Sequence, residues 1–202
     1  MATAVERLKA AIEELQAEID RDLDERRERL RYRIERGRVR FEAGMRARHR
    51  AAKVGWLEFL SYTRPSVVLT APVIYSLIVP FVLLDLWVSL YQAVCFRVYG
   101  IARVRRGDHI AVDRHHLAYL NGIQKLNCLY CSYCNGVISY VREIAGRTEQ
   151  YWCPIKHARR VKGVHDNYAA FLDYGDAEAF RADSLRLREA LGEGKGEGRG
   201  KA

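Results

Sequence analysis

The chain opens without the short apolar stretch that a secretory leader carries, so no cleavable signal is expected. It has no G-x-x-x-x-G-K loop to cradle phosphate, and no nucleophile paired with a base in a recognisable pattern. No segment alternates apolar and polar residues as a half-buried strand does, so the expected fold class is all-α. The cysteines number five, and an odd count argues against a disulfide framework. The most informative scarcity is that of charge. From Pro65 to Phe96 only Asp85 is charged, and the run from Pro65 to Leu84 has none.

Twenty uncharged residues are enough for a hydrocarbon core of about 30 Å at ~1.5 Å per residue. A buried helix of a soluble protein rarely runs that long without charge, so residues 65–99 are expected to be membrane-embedded. Pro72 and Pro80 remove backbone donors and kink the segment. Asp85 is costly in lipid unless it lies near an interface, is paired or is protonated. Two arrangements fit. In one, residues 66–84 cross as a kinked span and residues 86–99 lie on the far surface. In the other, the chain forms a hairpin that turns near Pro80. Seven Lys/Arg in Arg38–Arg64 and five in Arg97–Arg114 make both flanks basic. Positive flanks stay cytoplasmic, which favours the hairpin, although legs of about fifteen residues fall short of a full crossing.

Charge of one sign is concentrated elsewhere. Net charge is +9, and Arg29–Lys53 carries ten Lys/Arg against Glu35 and Glu42. Such a block prefers a polyanion. Its place before the apolar segment favours anionic lipid, with Arg46, Arg48, Arg50, Lys53 and Trp56 as contacts, over nucleic acid. Residues 44–64 thus form a basic and aromatic juxtamembrane linker.

Residues 1–43 read as one long amphipathic helix. Val5, Leu8, Ile12, Leu15 and Ile19 follow coiled-coil spacing, and Leu23, Leu30 and Ile34 continue the stripe after a slip. Residues 5–34 are therefore a self-association surface, or else one solvated helix laced with pairs such as Glu25 and Arg29. Residues 107–190 read as a small helical domain. One helix begins after Asp113, a second contains Val137, Val141 and Ile144, a third begins at Pro154, a fourth carries Tyr168 and Phe171, and a last is capped by Asp176. Residues 191–202, rich in Gly, Lys and Glu, are expected to be disordered.

The chemistry-bearing residues fall in that domain. Cys128-x2-Cys131 followed by Cys153-x3-His157 is a metal-ligand pattern, and Cys3His is a common tetrahedral zinc set. Cys128, Cys131, Cys153 and His157 would hold Zn2+ and leave Cys134 spare. Cys134 as a ligand gives the competing pattern, Cys128-x2-Cys131-x2-Cys134 with Cys153-Pro154, which has [4Fe–4S] spacing. Buried free thiols or a redox-active pair are the metal-free reading. His115 or His116 could be a ligand or proton carrier. Glu143 pairs with Arg147 at i,i+4, and Glu149 could support a ligand.

The strings Asp113-Arg-His-His-Leu-Ala-Tyr-Leu-Asn121, Asn127-Cys128-x2-Cys131 and Arg147-Thr-Glu-Gln-Tyr-Trp-Cys-Pro-Ile-Lys-His157 resemble an uncharacterised family of bacterial membrane-associated proteins. The resemblance covers roughly residues 65–176. It implies a bacterial membrane location and includes the Cys3His residues; the basic flanks and the thiol cluster favour the cytoplasmic face of the inner membrane for the polar parts. It implies no reaction. The combined expectation is a membrane-anchored binding or scaffold protein whose metal is structural, with a redox protein or enzyme as the rival.

Overall fold

The computed structural model describes residues 4–35 and 38–193, and the side chains of residues 10–35 and 39–192. The side chains of Val5 and Leu8 and the tail 194–202 lie outside the described residues. In order, the chain forms α1 (Ala4–Arg29), β1 (Tyr32–Glu35), β2 (Arg38–Phe41), α2 (Ala43–Ala51), α3 (Trp56–Ser61), α4 (Pro65–Ser76), α5 (Ile78–Tyr91), a π turn (Gln92–Phe96), α6 (Arg97–Tyr99), α7 (Arg106–His109), α8 (Gly122–Trp152) and α9 (Ala177–Glu193). The described residues are mostly helical, as expected. They divide into two compact units, residues 1–63 with 113–126, and residues 64–112 with 127–202.

In the first unit the N-terminal helix ends earlier than its stripe suggested. Arg31 takes a left-handed φ of 50° just after α1, and the chain then enters an antiparallel hairpin. Tyr32 faces Phe41 and Ile34 faces Val39 across β1 and β2. Side chains two apart on a strand share a face, so these four form one apolar patch. The rings of Tyr32, Phe41, His49 and Tyr119 follow one another at centroid spacings of 5.5, 4.8 and 5.1 Å. The charged ladder on α1 uses Asp22 with Arg26 at 2.7 Å. Ile12, Leu15, Ile19 and Leu23 stay exposed along α1.

The helix expected after Asp113 is only a 3-10 turn at Arg114–His116. Asn121 caps α8 instead. Its Oδ1 accepts from the Gln124 N–H at 2.9 Å, and Gln124 Oε1 accepts from the Asn121 N–H at 2.9 Å. This reciprocal pair satisfies two donors at a helix start.

In the second unit α4, α5, the π turn and α6 join into one helix, Pro65–Tyr99, of 35 residues, long and apolar enough to cross a membrane. No hairpin turn occurs near Pro80. Leu77, where the two segments meet, keeps helical dihedrals (φ −61°, ψ −15°). Its N–H bonds the Ile74 carbonyl at 3.2 Å, a local tightening where Pro80 can donate nothing back. The helix stops at Gly100, whose φ of 74° suits a residue without Cβ. Phe96, Ile101, Val104, Tyr140, Ile144 and Leu191 form the core between this helix, α8 and α9.

Helix α8 is a single 31-residue element where separate helices were expected. Gly136 and Gly146 do not break it, because close neighbours need the space. A Cβ on Gly136 would lie 2.9 Å from the His109 carbonyl oxygen, and one on Gly146 would lie 2.6 Å from the His165 ring. Pro154 starts no helix. It lies in extended chain, where Ile155 bridges Leu172. The fourth expected helix is a 3-10 turn, Asp166–Ala170. Asp176 caps α9 as expected, accepting from the Ala179 N–H at 2.8 Å.

Candidate functional site

Within α8 the three clustered cysteines stand three residues apart and so turn about 300° at each step. Cys128 is half-buried, Cys131 exposed and Cys134 buried. Burial pushes the Cys134 thiol above its ordinary pKa, and the neighbouring Cys131 adds to the shift against a lowering hydrogen bond from Tyr130. Cys153 follows the last residue of α8 and is exposed.

A continuous helix therefore separates the expected ligands. From Cys131 to Cys153 the rise is about 33 Å, against the roughly 4 Å between ligands of one zinc ion. His157 does not share a helical face with Cys153, since the chain beyond Trp152 is extended. The His157 backbone N–H instead donates to the Tyr168 hydroxyl at 2.7 Å, and its ring Nδ1 lies 3.2 Å from that oxygen. Cys128, Cys131, Cys153 and His157 are not brought together, and neither is the set containing Cys134. Among the described residues no three His, Cys, Asp or Glu side chains converge as an ion would require.

Both glutamates singled out in the sequence are paired. Glu143 accepts from Arg147 Nε at 2.8 Å, the expected i,i+4 pair, while Arg147 Nη1 reaches the Ala102 carbonyl at 2.7 Å. The Glu149 carboxylate sits 3.0 Å from His165 Nε2. The rings of His115 and His116, in the 3-10 turn, lie 3.8 Å apart between centroids and are tilted by 42°. In the first unit His116 lines a cavity of about 310 Å³ with Tyr32, Phe41, His49, Leu117 and Tyr119.

The feature that the sequence pattern did not reveal is a polar stripe along the inner face of the Pro65–Tyr99 helix. Asp85, the one charge in the apolar run, is 6 % exposed and is paired. Arg106 donates to it through both Nε (3.2 Å) and Nη2 (2.6 Å), and the Tyr133 hydroxyl donates at 3.0 Å. Burial, followed by the bond to Asp85, raises the Tyr133 pKa. Two turns on, Gln92 Nε2 donates to the Tyr140 hydroxyl at 2.6 Å, while its Oε1 accepts the Val104 N–H at 2.6 Å. Tyr91 meets Thr148 at 3.0 Å. Tyr75 donates to the Asn127 side chain, and Tyr130 donates to the Ile74 carbonyl at 2.9 Å.

The π turn falls at the end of this stripe. Gln92 (2 % exposed) and Phe96 (0 %), at the two ends of the π turn, both lie on the inner face. The legible signal was Asp85 and Gln92, seven residues and so about two turns apart, in an otherwise apolar segment. The outer face of the same helix is apolar and exposed, including Leu69, Val73, Leu83, Trp87 and Val98.

This arrangement can hold an apolar surface against one medium and a hydrogen-bonded surface against another. Among the described residues no group of three potential metal ligands converges. No family model, no curated protein and no solved structure matches this chain.

Proposed function

We propose that this chain is a membrane-anchored binding or scaffold protein. The Pro65–Tyr99 helix is its anchor, and α8 with α9 forms a rigid platform built on that anchor. The observation that carries the reading is the pairing of an exposed apolar outer face with a fully partnered polar inner stripe. Exposed apolar area is unfavourable in water by about 25 cal/mol per Å², and a patch running the length of a 35-residue helix marks an interaction surface. The resemblance to bacterial membrane-associated proteins and the basic residues on both flanks support the cytoplasmic face of a bacterial inner membrane. The basic, exposed Arg46, Arg48, Arg50 and Lys53, with Trp56, suit anionic headgroups.

Fractionation of cells expressing the full chain tests the anchor. The protein is expected in the membrane pellet, to stay there through a high-salt and then an alkaline carbonate wash, and to be released by detergent. Recovery as a monodisperse species in the soluble fraction would overturn the reading.

A further inference from the structure

The two faces of the long helix carry information about how it meets the bilayer. Its polar contacts begin with Tyr75 on Asn127 and continue through Asp85 on Arg106 and Tyr133 to Gln92 on Tyr140. Numbers rise together on both helices, so α8 runs parallel to the long helix and beside it. Tyr75 stands near the middle of the uncharged Pro65–Leu84 run. Were that run to cross vertically, Asn127 and its stretch of α8 would lie near the bilayer centre. Asn127 is only in the second turn of α8 (Gly122–Trp152), so the start of that helix, where the Asn121–Gln124 pair satisfies only part of the free amides, would end in hydrocarbon.

The outer face tells the same story by its length. It remains apolar and exposed from Leu69 to Val98, with Val79 at 58 %, Trp87 at 74 % and Val98 at 76 %. Twenty-nine residues rise about 44 Å, well beyond the ~30 Å of hydrocarbon. A vertical helix would leave the end of that face in water. From Ala71 to Phe96 one face rests against the protein while the opposite face stays exposed, a one-sided exposure that suits a helix lying in the interface. Flanking charge agrees, with exposed Arg64, Arg97, Arg103 and Arg105 available to anionic headgroups. Hydroxyls outside the stripe bond back onto the helix, as Thr70 does to the Val67 carbonyl (3.0 Å) and Ser76 to that of Val73 (2.7 Å).

We infer that the Pro65–Tyr99 helix lies along the surface of an anionic bilayer, its outer face sunk into one leaflet and α8 carried above it on the water side. This rests on the anchoring reading and adds that the helix does not cross.

The test measures depth at three outer-face positions. Full-length protein with a single tryptophan is reconstituted into vesicles of phosphatidylethanolamine and phosphatidylglycerol. The tryptophan is the native Trp87, or is placed by V79W or V98W, with the remaining tryptophans replaced by phenylalanine. Quenching is read with lipids brominated at shallow or deep acyl positions. None of these side chains enters the core, so circular dichroism should match that of the parent chain. Similar quenching at all three, strongest from shallow bromines, is expected. Deep quenching at position 79, shallow at 87 and none at 98 describes a crossing helix; it overturns this inference and leaves the anchor standing. No quenching at any position, as when a second copy covers the face, overturns both.

Discussion

At the scale of single residues, Asp85 shows how a charge is kept in an apolar helix. A buried carboxylate is tolerated when its oxygens are occupied, and here Arg106, Tyr133 and Ser89 supply four donor contacts. Arg106 is itself 49 % exposed, so the pair is partly screened. Removing it nevertheless leaves Asp85 charged and short of its best donor. Arg106→Ala should lower unfolding stability by about 1–3 kcal/mol, read by thermal or denaturant unfolding in mild detergent. Adding Asp85→Asn to that variant should recover part of the loss, because the uncompensated charge is gone. Equal and additive losses would show that the pair does not act as a unit.

The thiols give a second residue-scale expectation. Cys131 and Cys153 are exposed, while Cys134 is buried and its thiolate disfavoured. Alkylation proceeds through the thiolate. Brief treatment of the folded protein with iodoacetamide, followed by peptide mass spectrometry, should label Cys131 and Cys153 and spare Cys134 until denaturant is added. Protection of Cys131 and Cys153 together, relieved by a chelator, would instead indicate a shared ion.

At the scale of elements, α8 sets two effects of known size against each other. Gly→Ala inside a helix gains about 1 kcal/mol in propensity. At Gly136 the new Cβ would meet the His109 oxygen and Ile110 Cα at 2.9 Å each, and backbone cannot step aside as a side-chain tip does. Overpacking of that kind costs about 1–3 kcal/mol, so Gly136→Ala should destabilise by up to about 2 kcal/mol net and loosen the His109 contact with Ser139, now 2.9 Å. Unfolding curves decide it, and a gain in stability would mean that the 106–110 segment is free to move.

Those same elements explain what was legible. The apolar run, the cap at Asp176 and the Glu143–Arg147 pair depend on neighbours close in sequence, and each could be read directly. The hairpin was hidden because Leu30 and Ile34 fit a heptad stripe as well as Ile34 fits alternation with Tyr32. Only pairing with Val39 and Phe41 decides between them. The cysteine spacing misled for a related reason. Two ligand pairs about twenty residues apart meet only if the chain turns back between them. Gly136 and Gly146 look like places for such a turn, yet both sit where His109, Ile110 and His165 press against α8, and the helix runs straight on. The polar stripe was half legible: Asp85 required a partner, but that the partner is Arg106 depends on how the chain returns after Gly100.

For the whole molecule, an unpaired stripe remains on α1. Ile12, Leu15 and Ile19 keep the 3–4 spacing of a coiled-coil seam, Leu23 follows after the slip, and all four are exposed. An anionic bilayer is a poor occupant for them, because Met1–Glu28 holds nine acids against five bases and would be repelled from it. A second copy of the same helix is the better match. These side chains are only 40–59 % exposed, so covering them gains about half of the roughly 1.5–3 kcal/mol per residue of full burial, a total of the same order as the roughly 4–15 kcal/mol lost on association. The pairing is therefore weak for copies free in solution. Confinement to a membrane raises the effective concentration and shifts the balance without a new contact. Cross-linking through surface lysines should accordingly capture dimers in membranes, and far fewer after dilution in detergent. The double variant Leu15→Glu with Ile19→Glu should abolish the membrane dimer while leaving fractionation with the membrane unchanged. Dimers that survive the double variant would move self-association away from α1, and loss of membrane binding would mean that this seam, and not Pro65–Tyr99 alone, holds the protein to lipid.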